Sequence, residues 1–243
     1  MRVLLQKSAA IGALGFVASC FLPFAGAAAA ERVPFVGCAG DGQTGPVAAP
    51  KGAPKAVAID AAAARQLAFY QAQDSFGVLA PKGWKCFYSY GSNGATLLVA
   101  PSGNLQNALD APLTGSAVVA RLDYGGTSGR FAVAKYSARL FPQLERAFIT
   151  SVIAEGIEPK ENFTSGLYPA DKTTYRGARL VEFETPADMD GLGTSGRLQK
   201  NSLPITGVAK LEGAPDGPDL FLLTVRLPAN QAGLAQAIVS QAE

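Results

Sequence analysis

Histidine is absent from all 243 residues. That removes Ser-His-Asp and Cys-His catalysis, His-ligated zinc and haem, and any histidine pH switch. Charge is scarce as well: 16% of residues are Asp, Glu, Lys or Arg, against 48% hydrophobic ones. This balance is too apolar and too weakly charged for a disordered chain, so a packed core is expected. The basic excess is nominal. Arg2 and Lys7 lie in the N-terminal leader, and without them the 21 basic residues fall to 19, equal to the 19 acidic ones. A nucleic-acid binder needs a basic excess or patch, so no nucleic-acid partner is expected. Neither Ser-x-x-Lys nor Gly-x-Ser-x-Gly occurs.

The leader has the three parts of a secretory signal peptide. Met1 to Lys7 carries two positive charges, Ser8 to Gly26 is apolar, and Ala27 to Ala30 are small residues before Glu31. Gly12, Gly15, Pro23 and Gly26 interrupt the run of about 20 residues that a membrane-spanning anchor needs. Residues 1–30 are therefore read as a signal peptide cleaved near Ala30. Lipidation competes, because Val17-Ala18-Ser19-Cys20 resembles a lipobox and would leave a lipoprotein anchored at Cys20. Phe21-Leu22-Pro23-Phe24, however, continues the apolar run where lipoproteins turn polar. An uncleaved anchor is the third reading. All three put the folded part outside the cytoplasm, in the periplasm or secreted. No second stretch approaches spanning length, so no transmembrane span follows the leader.

Cleavage leaves two cysteines, Cys38 and Cys86. An even count in an oxidising compartment implies a disulfide, and two cysteines allow one pairing. Neither lies in Cys-x-x-Cys, and no histidine exists to activate a thiol. The bridge staples residues 31–58, a Gly/Pro/Ala-rich arm with Pro46, Pro50 and Pro54 that reads as irregular or extended.

Residues 59–243 read as a single α+β domain. Asp60 caps a short helix through Ala61–Ala64, and Leu67–Tyr70 ends it or begins a strand. Strands are read at Phe76–Leu79, Lys85–Tyr90, Ala95–Ala100 and Ser116–Tyr124, with Asn93-Gly94 supplying hairpin chemistry. Apolar spacing predicts a long helix over Phe131–Leu140 and Gln143–Glu155, interrupted by Pro142 and stopped at Gly156. Thr173–Thr185 reads as one strand, Val208–Glu212 and Leu220–Leu227 as a pair, and Leu234–Val239 as a closing helix. The order argues for an antiparallel sheet with the long helix and the C-terminal helix packed on it. A mature chain of 213 residues, the 243 less the leader of 30, buries roughly 70% of its unfolded surface, enough for one sizeable core.

Phe76 to Trp84, FGVLAPKGW, resembles the strand-Pro-x-Gly-Trp opening of PsbP/Mog1-like domains. The late strand Leu220–Leu227 and helix Leu234–Val239 are similar to their closing elements. The resemblance covers about two thirds of the chain in outline. It implies an αβα layering and a role in binding protein partners; the disulfide and the proline-rich arm depart from the family pattern, and no functional residue is carried over.

Several strings carry candidate site chemistry. Gly191 to Gly196 spells GxGxxG but lacks the strand before it and the helix after it, so a glycine-rich loop is the better account and no cofactor is expected. Asp188-x-Asp190-Gly191 opens like a calcium loop, but Leu192 and Gln199 stand where ligands belong, so no metal is expected. Gly-Thr-Ser-Gly-Arg occurs twice, ending at Arg130 and Arg197; such loops are coincidental or paired anion nests. Trp84, Cys86, Tyr88 and Tyr90 alternate, so a strand puts them on one face, as core around the disulfide or as a stacking stripe. Glu182 and Glu184 share a strand face about 7 Å apart, a spacing open to an inverting glycosidase, though exposed alternation is the far commoner arrangement. The expected function is a non-catalytic binding module contacting a partner protein or envelope component through Trp84, Tyr88, Tyr90, Arg130 and Arg197. A carboxylate-based hydrolase and a small-ligand or anion-binding periplasmic protein are the alternatives.

Intact-mass analysis of the exported form checks the leader. A chain starting near Glu31 is expected; an acylated species starting at Cys20 would establish the lipoprotein reading instead.

Overall fold

Four short strands come from the arm: β1 (Glu31–Val33), β2 (Phe35–Cys38), β3 (Gly40–Gly42) and β4 (Lys55–Val57). The structure is a computed structural model, and it describes residues 30–103, 105–106 and 111–242. The expected signal peptide up to residue 29, with the lipobox Cys20, lies outside the described residues.

Helix α1 (Ala61–Gln66) starts where the Asp60 carboxylate accepts the amides of Ala62 and Ala63 at 2.8 and 2.9 Å. The chain then turns directly into β5 (Leu67–Ala72), followed by β6 (Gly77–Pro81), β7 (Lys85–Gly91), β8 (Gly94–Ala100) and β9 (Ala117–Asp123). Two helices follow, α2 (Arg130–Leu140) and α3 (Arg146–Ala154). The end of the chain holds β10 (Lys172–Gly177), β11 (Leu180–Thr185), β12 (Ile205–Glu212), β13 (Asp219–Arg226) and α4 (Ala235–Val239).

Eight strands build one large sheet in the order β10-β11-β12-β13-β9-β8-β7-β3. Two meanders, β7–β9 and β10–β13, meet along the β9–β13 seam, and β3 is added parallel to β7 at the edge. A small sheet has the order β2-β5-β6, and β1 pairs with β4 alone.

The architecture is α+β, with three corrections to the sequence reading. The sheets are mixed rather than purely antiparallel, because β3 runs parallel to β7 and β2 parallel to β5. Both parallel partners come from the arm, whose pairing is decided by tertiary contacts and not by its own composition. The long helix is two separate helices, because Pro142 has no amide to donate and the chain turns between Leu140 and Arg146. Residues Thr173–Thr185 are not one strand but a hairpin, β10–β11, folded back at Gly177 where the register shifts.

Register places Tyr88, Leu97, Ala120, Leu223 and Val208 in one cross-strand row. This face of the large sheet packs on Tyr70 and Leu79 of the small sheet and on Ile238 and Val239 of α4. On the opposite face Val181, Ala209 and Leu222 pack against Val133 and Tyr136 of α2 and Phe148 and Val152 of α3. The large sheet is thus the middle layer. Among the described residues no helix is long and apolar enough to cross a membrane.

Two fixtures hold this arrangement. Cys38, at the end of β2, is bonded to Cys86 of β7, with Cα atoms 5.4 Å apart, so the small sheet is tied covalently to the large one. One cross-strand row beyond Cys86, at the end of β13, Arg226 is fully buried. Its guanidinium donates to Gly115 O (2.9 and 2.5 Å), to Leu113 O (2.8 Å) and to Gln199 O. Among the described residues no carboxylate pairs with it, and burial lowers its pKa. Backbone carbonyls alone compensate the charge, and they fix the 113–115 and 197–199 segments to the end of β13.

Replacing Cys86→Ser, or adding reductant, is expected to lower unfolding free energy by at most about 4 kcal/mol, the chain-entropy value for a loop of this length. Denaturant titration of the oxidised, reduced and C86S forms measures it, and the expected result is that the reduced wild type and C86S coincide.

Candidate binding cleft

The helix-covered face of the large sheet changes character along a single cross-strand row. Val181, Ala209 and Leu222 are followed, strand by strand, by Arg121, Thr96 and Ser89. Helices α2 and α3 seal the apolar half. The polar half is left as the floor of a cleft of about 410 Å³ between β7–β9 and the start of α2. Its walls include Ser128, Gly129 and Lys135 along α2, Glu158 beyond α3, and Arg197.

Both Gly-Thr-Ser-Gly-Arg strings reach this cleft. The first delivers Ser128 and Gly129 at the entry to α2, where Thr127 Oγ1 accepts from Gly129 N at 3.2 Å and Thr127 O from Arg130 N at 3.1 Å. Gly129 is required by close approach: a Cβ there would lie 2.2 Å from Asn93 O and 2.8 Å from Tyr124 N. The helix start is thus pressed against the β8 hairpin and the end of β9. The second string follows a pinned turn. Asp171 accepts from Thr185 Oγ1 (2.6 Å) and Leu192 N (2.8 Å), and Thr185 Oγ1 accepts from Gly193 N (2.9 Å). Ser195 Oγ lies 3.1 Å from the Tyr136 hydroxyl of α2, and two residues later Arg197 enters the cleft wall.

Charges in the cleft are placed in pairs. Arg121 Nε donates to Asp123 Oδ1 at 2.9 Å, and its Nη2 lies 2.8 Å from Oδ2. The Arg121 guanidinium thus spans both oxygens of the buried Asp123 carboxylate. Burial pushes the Asp123 pKa up, and Arg121 offsets part of the effect. Lys135 Nζ lies 2.5 Å from Glu158 Oε2, and this hydrogen bond holds the Glu158 carboxyl below its ordinary value. Burial raises the Tyr136 hydroxyl.

The residues singled out in the sequence divide between the cleft and elsewhere. Arg197 and Tyr90 line it. Tyr90 is also an anchor for the arm: its hydroxyl donates to Gly45 O at 2.5 Å and lies 2.9 Å from Thr44 Oγ1. Tyr88 is largely a core side chain, stacked on Tyr90 at 5.6 Å and edge-on to Phe76 at 6.2 Å. The Tyr88 and Tyr90 rings also line a smaller depression of about 250 Å³ with Thr44, Gln73 and Asp74. Trp84 is half-buried before the other end of β7, where its carbonyl accepts from Tyr70 at 3.3 Å. Arg130 turns away from the cleft. It binds Glu155 through two nitrogens at 2.7 and 2.5 Å and lies 4.6 Å from the Phe131 ring centre.

Glu182 and Glu184 stand on the sheet face opposite the cleft, ion-paired with Arg176 and Lys172 at 2.8 Å each. Asp190 pairs with Lys200 at 2.8 Å, and Asp188 takes a positive φ of 59° in the same turn. Arg121, Asp123, Lys135 and Glu158 were not singled out in the sequence. The available signal was Arg121-x-Asp123, two charges on one side of an otherwise apolar strand.

No family model matches the chain, nor does any curated protein or solved structure.

The carboxylates in and near the cleft titrate with opposite consequences. Glu155 and Glu158 have lowered pKa values, set by hydrogen bonds from Arg130 and Lys135. Their stabilisation is present above the ordinary glutamate value and lost as pH falls through the folded one. Asp123 has a raised pKa, so it favours the fold below the ordinary aspartate value and loses that contribution as pH rises to the folded one. Denaturation midpoints measured from about pH 7 down to about pH 3 are expected to fall less steeply for Glu158→Gln than for wild type. Asp123→Asn is expected to steepen the acid-side loss.

Proposed function

We propose that the chain is an exported, non-catalytic binding module of the periplasm or the secreted fraction, and that a small polar ligand occupies the cleft beside α2. The observation that carries this reading is the convergence of two separate glycine loops and three cations on one polar floor, with a volume within the roughly 300–1,000 Å³ typical of small-ligand sites. A packed protein of this size normally fills such a space with apolar side chains. Here the sheet row turns polar at the point where the helices stop covering it.

The disulfide suits an oxidising compartment and supports export. The resemblance to PsbP/Mog1-like domains points to binding as well. A protein or envelope partner remains the second form of the same reading, with the Tyr88–Tyr90 depression as its contact. The hydrolase reading draws less support, because Glu182 and Glu184 are engaged by Arg176 and Lys172 on a sheet face away from the cleft.

Thermal unfolding of the mature chain in the presence of phosphate, sulfate, carboxylic acids, amino acids and sugars tests the proposal. A ligand at about a hundred times its Kd stabilises by about 2.7 kcal/mol, roughly 5–10 °C for a chain of this size. A shift of that order in wild type, lost in Arg197→Ala and retained in Glu182→Gln, is expected. Turnover of a panel compound that disappears in Glu182→Gln would replace the binding reading with the hydrolase.

A further inference from the structure

The opposite face of the large sheet carries a second surface that does not depend on the reading of the cleft. Tyr88 and Tyr90 alternate with the cleft-floor residue Ser89 in β7, so their side chains leave the sheet on its other face. They do so at the edge where β3 joins β7. There both rings line the depression of about 250 Å³, with Thr44 and Val47 of the arm on one side and Gln73 and Asp74 of the β5–β6 turn on the other.

Strand β3 shapes this surface by having no side chains where the rings lie. A Cβ at Gly42 would meet Cγ and Cδ1 of Tyr90 at 2.8 Å, and one at Gly40 would meet Cδ1 of Tyr88 at 3.1 Å. The rings therefore lean over β3, near-parallel at an interplanar angle of 19°. Each has its own support. Phe76 abuts Tyr88 edge-on at 6.2 Å, and Gly45 O accepts from the Tyr90 hydroxyl at 2.5 Å. Tyr88 is largely covered, so the half-buried Tyr90 offers the larger open area. Beside the rings stand two uncommitted polar side chains. Gln73 and Asp74 are exposed, and among the described residues neither side chain has a hydrogen-bond or ion-pair partner.

These groups select a ligand class. Asp74 supplies a negative charge and no cation lines the depression among the described residues, which turns away phosphate and other anions. A quaternary ammonium is gripped by aromatic rings inclined to one another as a cage, and two near-parallel rings make none. An apolar tail would cover the Gln73 amide and the Asp74 carboxylate without pairing them. A sugar ring satisfies every group. Its C–H face lies on a tyrosine ring, its hydroxyls donate to the Asp74 carboxylate, and they both donate to and accept from the Gln73 amide.

We infer that this depression is a carbohydrate-binding site, occupied by a neutral sugar ring of an oligosaccharide lying on Tyr90 and hydrogen-bonded to Gln73 and Asp74. Gln73 and Asp74 also border a neighbouring depression of about 430 Å³ lined by Phe35 and Gly52. A chain of sugars therefore has surface to continue on beyond the first ring. Lys51 and Lys55 line that second depression and not the first.

NMR titration of the oxidised mature chain tests this, with glucose, N-acetylglucosamine, maltotriose, cellotriose, chitotriose, tetramethylammonium and inorganic phosphate as probes. At least one trisaccharide is expected to bind, with saturation transfer from tyrosine ring protons to its C–H protons, and its monosaccharide more weakly. Gln73→Ala and Asp74→Asn are each expected to weaken binding about ten-fold, as loss of a hydrogen bond to a ligand does, without moving the denaturation midpoint. Arg197→Ala, in the cleft, is expected to leave it unchanged. Sugar binding that survives Gln73→Ala and Asp74→Asn overturns the inference; if Arg197→Ala then abolishes it, the sugar belongs to the cleft and the cleft reading stands. Tetramethylammonium or phosphate shifting the Tyr88 and Tyr90 ring signals in place of a sugar overturns it too. So does the absence of any shift with every sugar, which leaves the depression to a protein partner. Equal affinity for trisaccharide and monosaccharide overturns the continuation onto the second depression.

Discussion

The bond between Cys38 and Cys86 decides where the whole arm runs. Cys38 closes the edge strand of the small sheet, and Cys86 lies in β7 of the large one, so the bond fixes the separation of the two layers at their rim. Two residues after Cys38 the chain enters β3, and Gly40 falls opposite Tyr88, two residues on from Cys86. The parallel pairing of β3 with β7 follows from that proximity, because both strands leave the crosslink in the same direction. Gln43 to Gly45 then meet Tyr90, whose hydroxyl holds Gly45. A segment of glycine, proline and alanine buries little apolar surface of its own. Its position depends on the crosslink and the few polar contacts the crosslink brings within reach.

That edge matters to the cleft because Ser89 and Tyr90 of β7 form part of its lining. With β3 in place, β7 is an internal strand with both edges paired. The cleft floor is therefore sheet, while one wall is a helix start and the other carries Arg197, three residues beyond a pinned 3₁₀ turn. Polar groups on such a scaffold keep their spacing without a ligand, which lowers the ordering cost of binding. The Asp171–Thr185 clasp does this for the second glycine loop. Gly129 does it for the first by letting backbone touch backbone.

Much of this was legible in the sequence where the cause was local. Asp60 as a helix cap, Asn93-Gly94 as a hairpin and the α+β class are properties of a few neighbouring residues. The pairing of two remaining cysteines required only counting. The β10–β11 hairpin was missed because apolar residues alternate with polar ones through much of Thr173–Thr185, and nothing but Gly177 marks the reversal. The parallel edge strands were missed because glycine-rich β3 has no strand propensity; a neighbour imposes its conformation. The candidate site was half legible. The repeated glycine strings stood out, and Arg197 was among the residues named. Arg121, Asp123, Lys135 and Glu158 did not stand out, since only sheet register and helix placement bring them together. The aromatic alternation of Tyr88 and Tyr90 was visible, but alternation alone does not say whether a face meets solvent or a second layer.

The two meanders of the large sheet meet at β9 and β13, where Thr224 bonds to Val119 across 105 residues of chain. Each meander can form from near neighbours in sequence, whereas the seam requires closure of a long loop and so belongs to a late stage of folding. The cleft draws Arg121 and Asp123 from the first meander, Ser128, Gly129 and Lys135 from the connecting helix, and Arg197 from between two strands of the second. Neither half contains the site. A chain threaded unfolded across a membrane would therefore remain without its cleft-lining groups in register until its last long strand had arrived, and the assembled cleft would report completion of the fold.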